Sequence, residues 1–565
     1  MKLAGQPKTE PLFIMTEKHK RNLPLIYLPM VFAFVLIAGF ILGLNLRTPG
    51  GSSQESRFFS IGLDRSDKVN DVINFIYDAY VDSVNREQLT EDAIHSLLKN
   101  LDPHSSYIPA SRFRGLNDPL MGSFEGIGIE FNMIKDTVVV INPIPGGPSE
   151  RAGLMPGDRI VMVEDTLIAG VNKSTDEVVS KLLGKKGTQV NISVFRIGVP
   201  DLISFSLVRD KIPSYSLDIA YMVSEETGYL RFNKFSATTY EEFAAGVEEL
   251  LNQGMQRMML DLRGNTGGFL DAAILMADEL LERGQVIVYT DGRKRPRTHA
   301  RARKTGMFET QPLVVLIDEW SASASEIIAG AVQDNDRGLV VGRRSFGKGL
   351  VQEQVQLGDG SALRLTVSRY YTPTGRSIQN PYDDGDEAYF NDFLQRYQSG
   401  EMMSRDSIHF DDSLRFETPA GRVVYGGGGI MPDVFVPLAA GDDISFFNRV
   451  SNRGHIYTYA FDYADRNRNK LESFDNARGF IDGFEFSRES YREFLAYADQ
   501  QGTQVPEKIN PESEIMIINH LKAYIGRNIF GPEAFYPVLH ERDEVFIKAL
   551  EALHDETLLS LLKTQ

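Results

Sequence analysis

The sequence has no cysteine and a single tryptophan among 565 residues. Without cysteine, disulfide frameworks, thiolate-ligated zinc, iron–sulfur clusters and cysteine nucleophiles are excluded. Histidine is scarce: there are nine, none in an evident Ser–His–Asp context. Positive charge is outweighed, with 60 Lys and Arg against 77 Asp and Glu and a formal net charge of −17. Such a chain is a poor candidate for coating nucleic acid. What is present is ordinary for a globular protein, 42% hydrophobic and 24% charged residues. At about 150 residues per domain, the length suggests three or four folding units.

One long apolar run stands out. Leu25 to Leu46 carries no charge and, at about 1.5 Å per residue, can cross a hydrocarbon core of about 30 Å. Lys18, Lys20 and Arg21 precede it, which predicts a cytoplasmic N-terminus (residues 1–24) and an anchor over 25–46. A cleaved signal peptide is the alternative, but no Ala-x-Ala-like site follows the run. The remaining chain is then expected on the far side of the membrane.

Beyond a Gly/Ser-rich linker, apolar spacing predicts a helical region over 60–121, with its clearest helical pattern from Arg65 to about Asn100. It is broken at Leu101-Asp102-Pro103-His104-Ser105. Short β-runs punctuated by Gly and Pro follow over 122–210, with one amphipathic helix at 175–184. They predict a small β-barrel-like module. Over 211–440 strands and helices alternate, the pattern of an α/β layer. Residues 381–420 read as an acidic surface insertion, and 441–565 as a mostly helical extension. Gly/Pro-punctuated connections at Asp118–Gly122 and Ile212–Ser214 are candidate hinges.

The chemistry concentrates in two stretches. Val314 to Ile317 is a buried-strand pattern, and Ser321-Ala322-Ser323-Ala324-Ser325-Glu326 leads from it into a helix. Serines before a helix N-terminus lie beside unpaired N–H groups and the positive dipole end, which suits a developing oxyanion. Plain helix capping, with Ser325 as the cap, is the competing reading. Ser345-Phe346-Gly347-Lys348-Gly349 then places a lysine between two glycines. A desolvated lysine loses proton affinity and can take a proton from a serine. The same stretch fits G-x-x-x-x-G-K, but position 349 is Gly and a strand pattern follows, which argues against a phosphate loop. The basic run from Arg293 to Lys304 reads as a solvated hairpin. Asp465, Asn467 and Asn469 begin like a Ca²⁺ loop, but Lys470 and Asn476 replace the required Gly and Glu. No metal site and no cofactor are expected.

Taken in order, these motifs resemble the carboxyl-terminal processing proteases, tail-specific serine peptidases of the S41 family with a PDZ domain. The marks run from Leu101-Asp102-Pro103-His104-Ser105 through Gly126-Ile127-Gly128, Gly153–Asp158, Asp261–Gly268, Ser321–Glu326 and Ser345–Gln352. They continue at Tyr371–Arg376 and Gly428-Gly429-Ile430-Met431-Pro432-Asp433. The resemblance implies a multidomain α/β protein: PDZ domain at 122–210, ClpP/crotonase-like serine protease core at 211–440. It implies Ser323 as nucleophile, Lys348 as base and Gln352 as the residue orienting the lysine. The oxyanion hole would be the N–H of Ala324 with that of Gly267 or Gly268.

Gly126, Ile127, Gly128 and Ile129 would bind a substrate carboxylate, the tail adding as a strand to the sheet edge. The implied partners are proteins or peptides with a free C-terminus, and the bilayer through residues 25–46. No nucleic acid is expected, and a homo-oligomer is left open. The expected protein is an inner-membrane, single-pass endopeptidase with its catalytic part in the periplasm or outside the cell. The alternative is a catalytically silent PDZ scaffold. The resemblance carries no motif into the C-terminal 120 or so residues.

Overall fold

The computed structural model describes residues 68–562 apart from Phe410 and Ala440. The expected membrane anchor and the N-terminus before it lie outside these residues. Among the described residues, no helix is long and apolar enough to cross a membrane. The chain divides into two compact units, up to Arg86 and from Glu87 onward. In the first, helix Lys68–Ala79 buries Ile73 and exposes Val69, Val72 and Phe75. Among the described residues, the helical region expected from Arg65 to about Asn100 consists of this helix and Arg86–Lys99. The Pro103 turn ends it as expected, followed by strand Ser106–Ile108 and, still within the expected helical region 60–121, helix Ala110–Asn117.

Residues 123–213 form the β-module. Strands Ile129–Met133, Val138–Pro143, Arg159–Val163, Gln189–Phe195 and Ile203–Val208 pair in that order, with Ile129–Met133 at one edge. Alternation along Gln189–Phe195 sends Val190, Ile192 and Val194 into the core. Helix Thr175–Leu182 closes that core with Val178 and Leu182, and a Ser174/Glu177 capping box starts it. A two-stranded stem, Ser123–Gly126 with Asp210–Pro213, joins the module to the rest. The candidate hinges lie at the base of this stem, Asp118–Met121 as a 3-10 turn before its first strand and Ile212–Ser214 at the end of its second. Ile212 is fully buried and Ser214 N–H donates to the Gly122 carbonyl at 3.0 Å, so these positions are structured, not slack.

The central sheet has the order Leu217–Met222, Thr227–Phe232, Arg257–Asp261, Leu313–Ile317, Leu339–Gly342, Val434–Phe435. Its first pair is antiparallel and the others parallel. Strand Leu313–Ile317 is wholly buried because both faces are covered. Leu313, Val315 and Ile317 face helices Leu270–Leu280 and Ala324–Asp334. Val314 and Leu316 meet Val545, Phe546 and Leu553 of helix Glu544–His554. The region from 441 is helical as expected, and its last helices also complete the protease core. Burying each such side chain contributes about 1.5–3 kcal/mol.

A second sheet carries Leu350–Gln356, Ala362–Tyr371, Ser106–Ile108 and the hairpin Val286–Asp291/Thr298–Arg301. That hairpin contains the basic run, whose Arg295 and Arg297 pair with Glu353 and Asp291. Helices between Ser445 and Phe530 form an aromatic-rich core of their own around Phe480, Phe494 and Tyr459.

Candidate active site

Strand Leu313–Ile317 runs out at Asp318, whose carboxylate turns the chain by accepting the N–H groups of Gly264 (2.9 Å) and Trp320 (3.0 Å). Ser321 and Ser325 are fully buried. Ser321 Oγ donates to the Leu262 carbonyl and Ser325 Oγ to that of Asn265, both at 2.8 Å. Two of the three serines are thus fastened to the loop after strand Arg257–Asp261. Ser323 is partly exposed. Its backbone lies at φ 56°, ψ −111°, in the half of conformational space that costs a non-glycine residue about 1–3 kcal/mol. Ser323, not Ser325, is the N-cap of helix Ala324–Asp334. This corrects the sequence expectation: the bend begins two residues earlier because Ser325 is spent on Asn265.

Glu326 joins the two chemical stretches. It is fully buried. One oxygen accepts from Ser323 N–H at 2.8 Å and Lys348 N–H at 2.9 Å. The other accepts from Ser345 Oγ at 2.6 Å and Gly347 N–H at 2.7 Å. Tyr370, which sequence reasoning missed, adds a second bridge. Its hydroxyl lies 2.6 Å from the Lys348 carbonyl and 3.1 Å from that of Ser323. A tyrosine in an alternating strand carries no signal of such a role. Of the glycines beside Lys348, Gly347 is required by its backbone and its packing. A Cβ on Gly347 (φ 91°) would stand 2.8 Å from Asn380 and 3.0 Å from the Gly429 nitrogen.

Lys348 Nζ donates to Gln352 Oε1 at 3.1 Å. Burial lowers the lysine's pKa from its ordinary value, and Arg364 lowers it further, against Glu326 and Asp102. His104 is held neutral at pH 7, its pKa lowered to about 4 by burial and then by Lys348. Among the described residues Lys348 Nζ and Ser323 Oγ share no hydrogen bond, and such bonds commonly tighten only once substrate is present. The phosphate-loop alternative fails here. The N–H groups of Gly347 and Lys348 are taken by Glu326, that of Gly349 by Gln379, and that of Ser345 by Ile430.

The two glycines proposed for the oxyanion hole separate in the structure. Gly267 (φ 98°) packs so closely that a Cβ would lie 2.7 Å from Ser323 Cβ and 3.0 Å from Ala324 N. Its N–H, however, donates to Asn265 Oδ1 at 2.9 Å. The N–H groups of Gly268 and Ala324 donate to no group among the described residues. In the β-module, Ile127 is buried and Gly128 sits at φ 77°, with Ile129 opening the edge strand. The carbonyls of Ile127 and Gly128 are bonded, whereas their N–H groups donate to nothing among the described residues. Gly126 ends the stem strand.

Residues 381–420, expected as a surface insertion, form a wall of this site. Arg396 is 4% exposed and donates to the carbonyls of Arg344 and Ser345, in the loop that carries Lys348. Glu401 holds both Arg344 and Arg396. Tyr389 is bonded to His104 Nε2 at 2.8 Å, and Phe393 stacks on Trp320. No cluster of metal-ligating side chains occurs among the described residues.

Comparison with known proteins matches residues 226–385 to peptidase family S41 and residues 126–207 to the PDZ domain. Residues 47–111 match the N-terminal domain of the activating protease CtpB, and 446–531 a family of unknown function. A carboxy-terminal-processing protease of Bartonella bacilliformis is 37% identical over 317 residues, 55% of this chain and 72% of that protein. Carboxy-terminal processing protease CtpA of Bacillus subtilis is 32% identical over 394 residues, 66% of this chain and 81% of that one. Among solved structures, a photosystem II D1 C-terminal processing protease matches at 30% identity with a TM-score of 0.33, covering 65% of this chain and 86% of that one.

Proposed function

Since the chain belongs to the S41 carboxy-terminal processing serine proteases with a PDZ domain, we propose that Ser323 and Lys348 are its nucleophile and base. The observation that carries this reading is the Glu326 carboxylate. It accepts an N–H from each of the two segments and holds them against each other. Neutral Lys348 takes the proton of Ser323 Oγ as that oxygen attacks the scissile carbonyl. The N–H groups of Ala324 and Gly268 receive the oxyanion. Collapse of the intermediate expels the amine, which takes a proton back from Lys348. Water then hydrolyses the ester by the same route, regenerating Ser323.

The substrate is a protein read at its C-terminus. The carboxylate goes to the unpaired N–H groups of Ile127 and Gly128 within the loop 126–129, and the tail adds to edge strand Ile129–Met133. The protease is anchored in the inner membrane by Leu25–Leu46, its catalytic part on the periplasmic or extracellular side. The uncharged run and its basic flank support this. An alkaline-phosphatase fusion after residue 60, active in a bacterial host, is the expected result, and activity of only a cytoplasmic reporter there would refute the orientation. For the chemistry, a denatured reporter with an apolar tail is cleaved by the parent and not by Ser323→Ala. Normal cleavage by Ser323→Ala would refute the assignment.

A further inference from the structure

The turn at Asp102–Ser105 lies far from Ser323 and Lys348 in sequence, yet it ends at Gln352. Asp102 is 7% exposed. Its Oδ1 accepts the N–H groups of His104 and Ser105, both at 2.9 Å, and Thr366 Oγ1 at 3.1 Å. Its Oδ2 accepts Ser105 Oγ at 2.6 Å, and Ser105 Oγ in turn accepts the Thr366 N–H at 3.1 Å. Thr366 is paired across the sheet with Gln352. The turn is therefore laid down beside Gln352, and the His104 carbonyl stands 2.6 Å from Gln352 Nε2. A carbonyl can only accept, so the amide must present its N–H₂ to His104. That leaves Oε1 for Lys348 Nζ, at 3.1 Å.

We propose that Asp102 is a positioning residue for Lys348: it shapes the turn whose His104 carbonyl orients the Gln352 amide, and the amide in turn places the lysine nitrogen. The inference rests on Lys348 being the base. The charged groups bearing on the lysine are Asp102 in this turn, Glu326 in the nucleophile helix and Arg364 in strand Ala362–Tyr371, with His104 neutral. Asp102 thus acts in two separable ways, through geometry and through its charge. The anion favours the ammonium form, so removing it lets Lys348 deprotonate at lower pH.

The test uses the full chain, a fluorophosphonate probe to time Ser323 acylation across pH, and a peptide substrate for kcat and KM. Asp102→Ala is expected to lower the high-pH plateau about 10-fold or more, with KM within about twofold and the midpoint at lower pH. Asp102→Asn keeps an oxygen for the two turn N–H groups. It should recover the plateau to within about threefold while keeping the lowered midpoint. In a Gln352→Ala background, adding Asp102→Ala should cost less than about twofold more, because the two act in series. Additive losses, or an Asp102→Ala protein with unchanged plateau and midpoint, would overturn the proposal. Should Asp102→Ala not fold, Ser105→Ala enters the same cycle and its plateau loss must likewise vanish beside Gln352→Ala. Labelling that persists in Ser323→Ala would instead count against the serine assignment itself.

Discussion

Ser321, Ser323 and Ser325 are the same residue type but differ in what their hydroxyls touch, in burial and in backbone: only Ser323 is partly exposed and lies at φ 56°. Ser323→Ala should abolish probe labelling and turnover with little change in stability, since its side chain is partly exposed. Ser325→Ala loses one buried hydrogen bond to Asn265, about 1 kcal/mol, and should keep most activity. Turnover is compared alongside thermal unfolding for both. For Lys348, the sign of the pH dependence follows from its burial. Its pKa is depressed, so the neutral, proton-accepting form is reached below the ordinary lysine range. Activity should climb through that lowered pKa and level off above it. Lys348→Arg stays charged and should be as inactive as Lys348→Ala at every pH tested; a normal rate would exclude lysine as the base. Glu326→Gln tests the bridge. An amide nitrogen cannot accept, so one of the two donor pairs at Glu326 faces N–H₂. An unsatisfied buried donor costs about 1–3 kcal/mol, and kcat should fall with it, as measured with the peptide substrate.

At the scale of elements, the strands and helices of the core are readable because their apolar periodicity is strong. The wholly apolar Leu313–Ile317 reads as a strand covered on both faces, and it is one. The segment 381–420 is not readable in this way. Its acidic residues suggest solvent, but Arg396 and Glu401 are spent on the Lys348 loop, a pairing between residues distant in sequence that no local pattern announces. The buried pair Asp334–Arg376 is of the same kind, both side chains fully inaccessible at 2.6 Å. Asp334 also accepts from Thr374 Oγ1, and Arg376 donates to Gln333 and Tyr425. Asp334→Ala strands a buried guanidinium and should cost about 3–5 kcal/mol by denaturant unfolding. Asp334→Leu with Arg376→Met should cost clearly less, since no charge is left unpaired.

At the scale of the whole second unit, the helices after 441 do more than extend the chain. Helix Glu544–His554 covers one face of the central sheet, and Asp543 pairs with Arg263 beside the Gly267 loop. Helix His455–Arg466 holds the PDZ domain. Phe461 packs on Val139 and Ile141, and Asp465 takes Arg159 at 3.2 Å. Gly157 is needed there, since a Cβ would stand 2.5 Å from Asp465 Oδ1. The PDZ domain is thus tied at its stem and again on its outer sheet face, rather than swinging on two loose connections. Asp465→Arg places like charges at this contact. Hydrogen exchange should accelerate in strands Val138–Pro143 and Arg159–Val163, while Ser323 labelling in the absence of substrate stays within about twofold. Unchanged exchange would show that the contact does not hold the domain.

Sequence alone determined the order of the parts, the PDZ and protease cores, and the candidacy of Ser323 and Lys348. The order of strands and helices rests on local periodicity and turn chemistry, whereas the PDZ assignment and the choice of Ser323 and Lys348 rest on the resemblance of the ordered motifs to the S41 family. Sequence reading left open which glycine has a free N–H and misjudged which serine caps the helix. It also missed that the last helices and the acidic insertion build the core and the site. Those were decided by tertiary structure, because a buried donor must find an acceptor wherever the fold brings one. Asn265 claims Gly267 and Ser325, Glu326 gathers four donors from two segments, and Asp102 reaches Gln352 through a turn on a neighbouring strand.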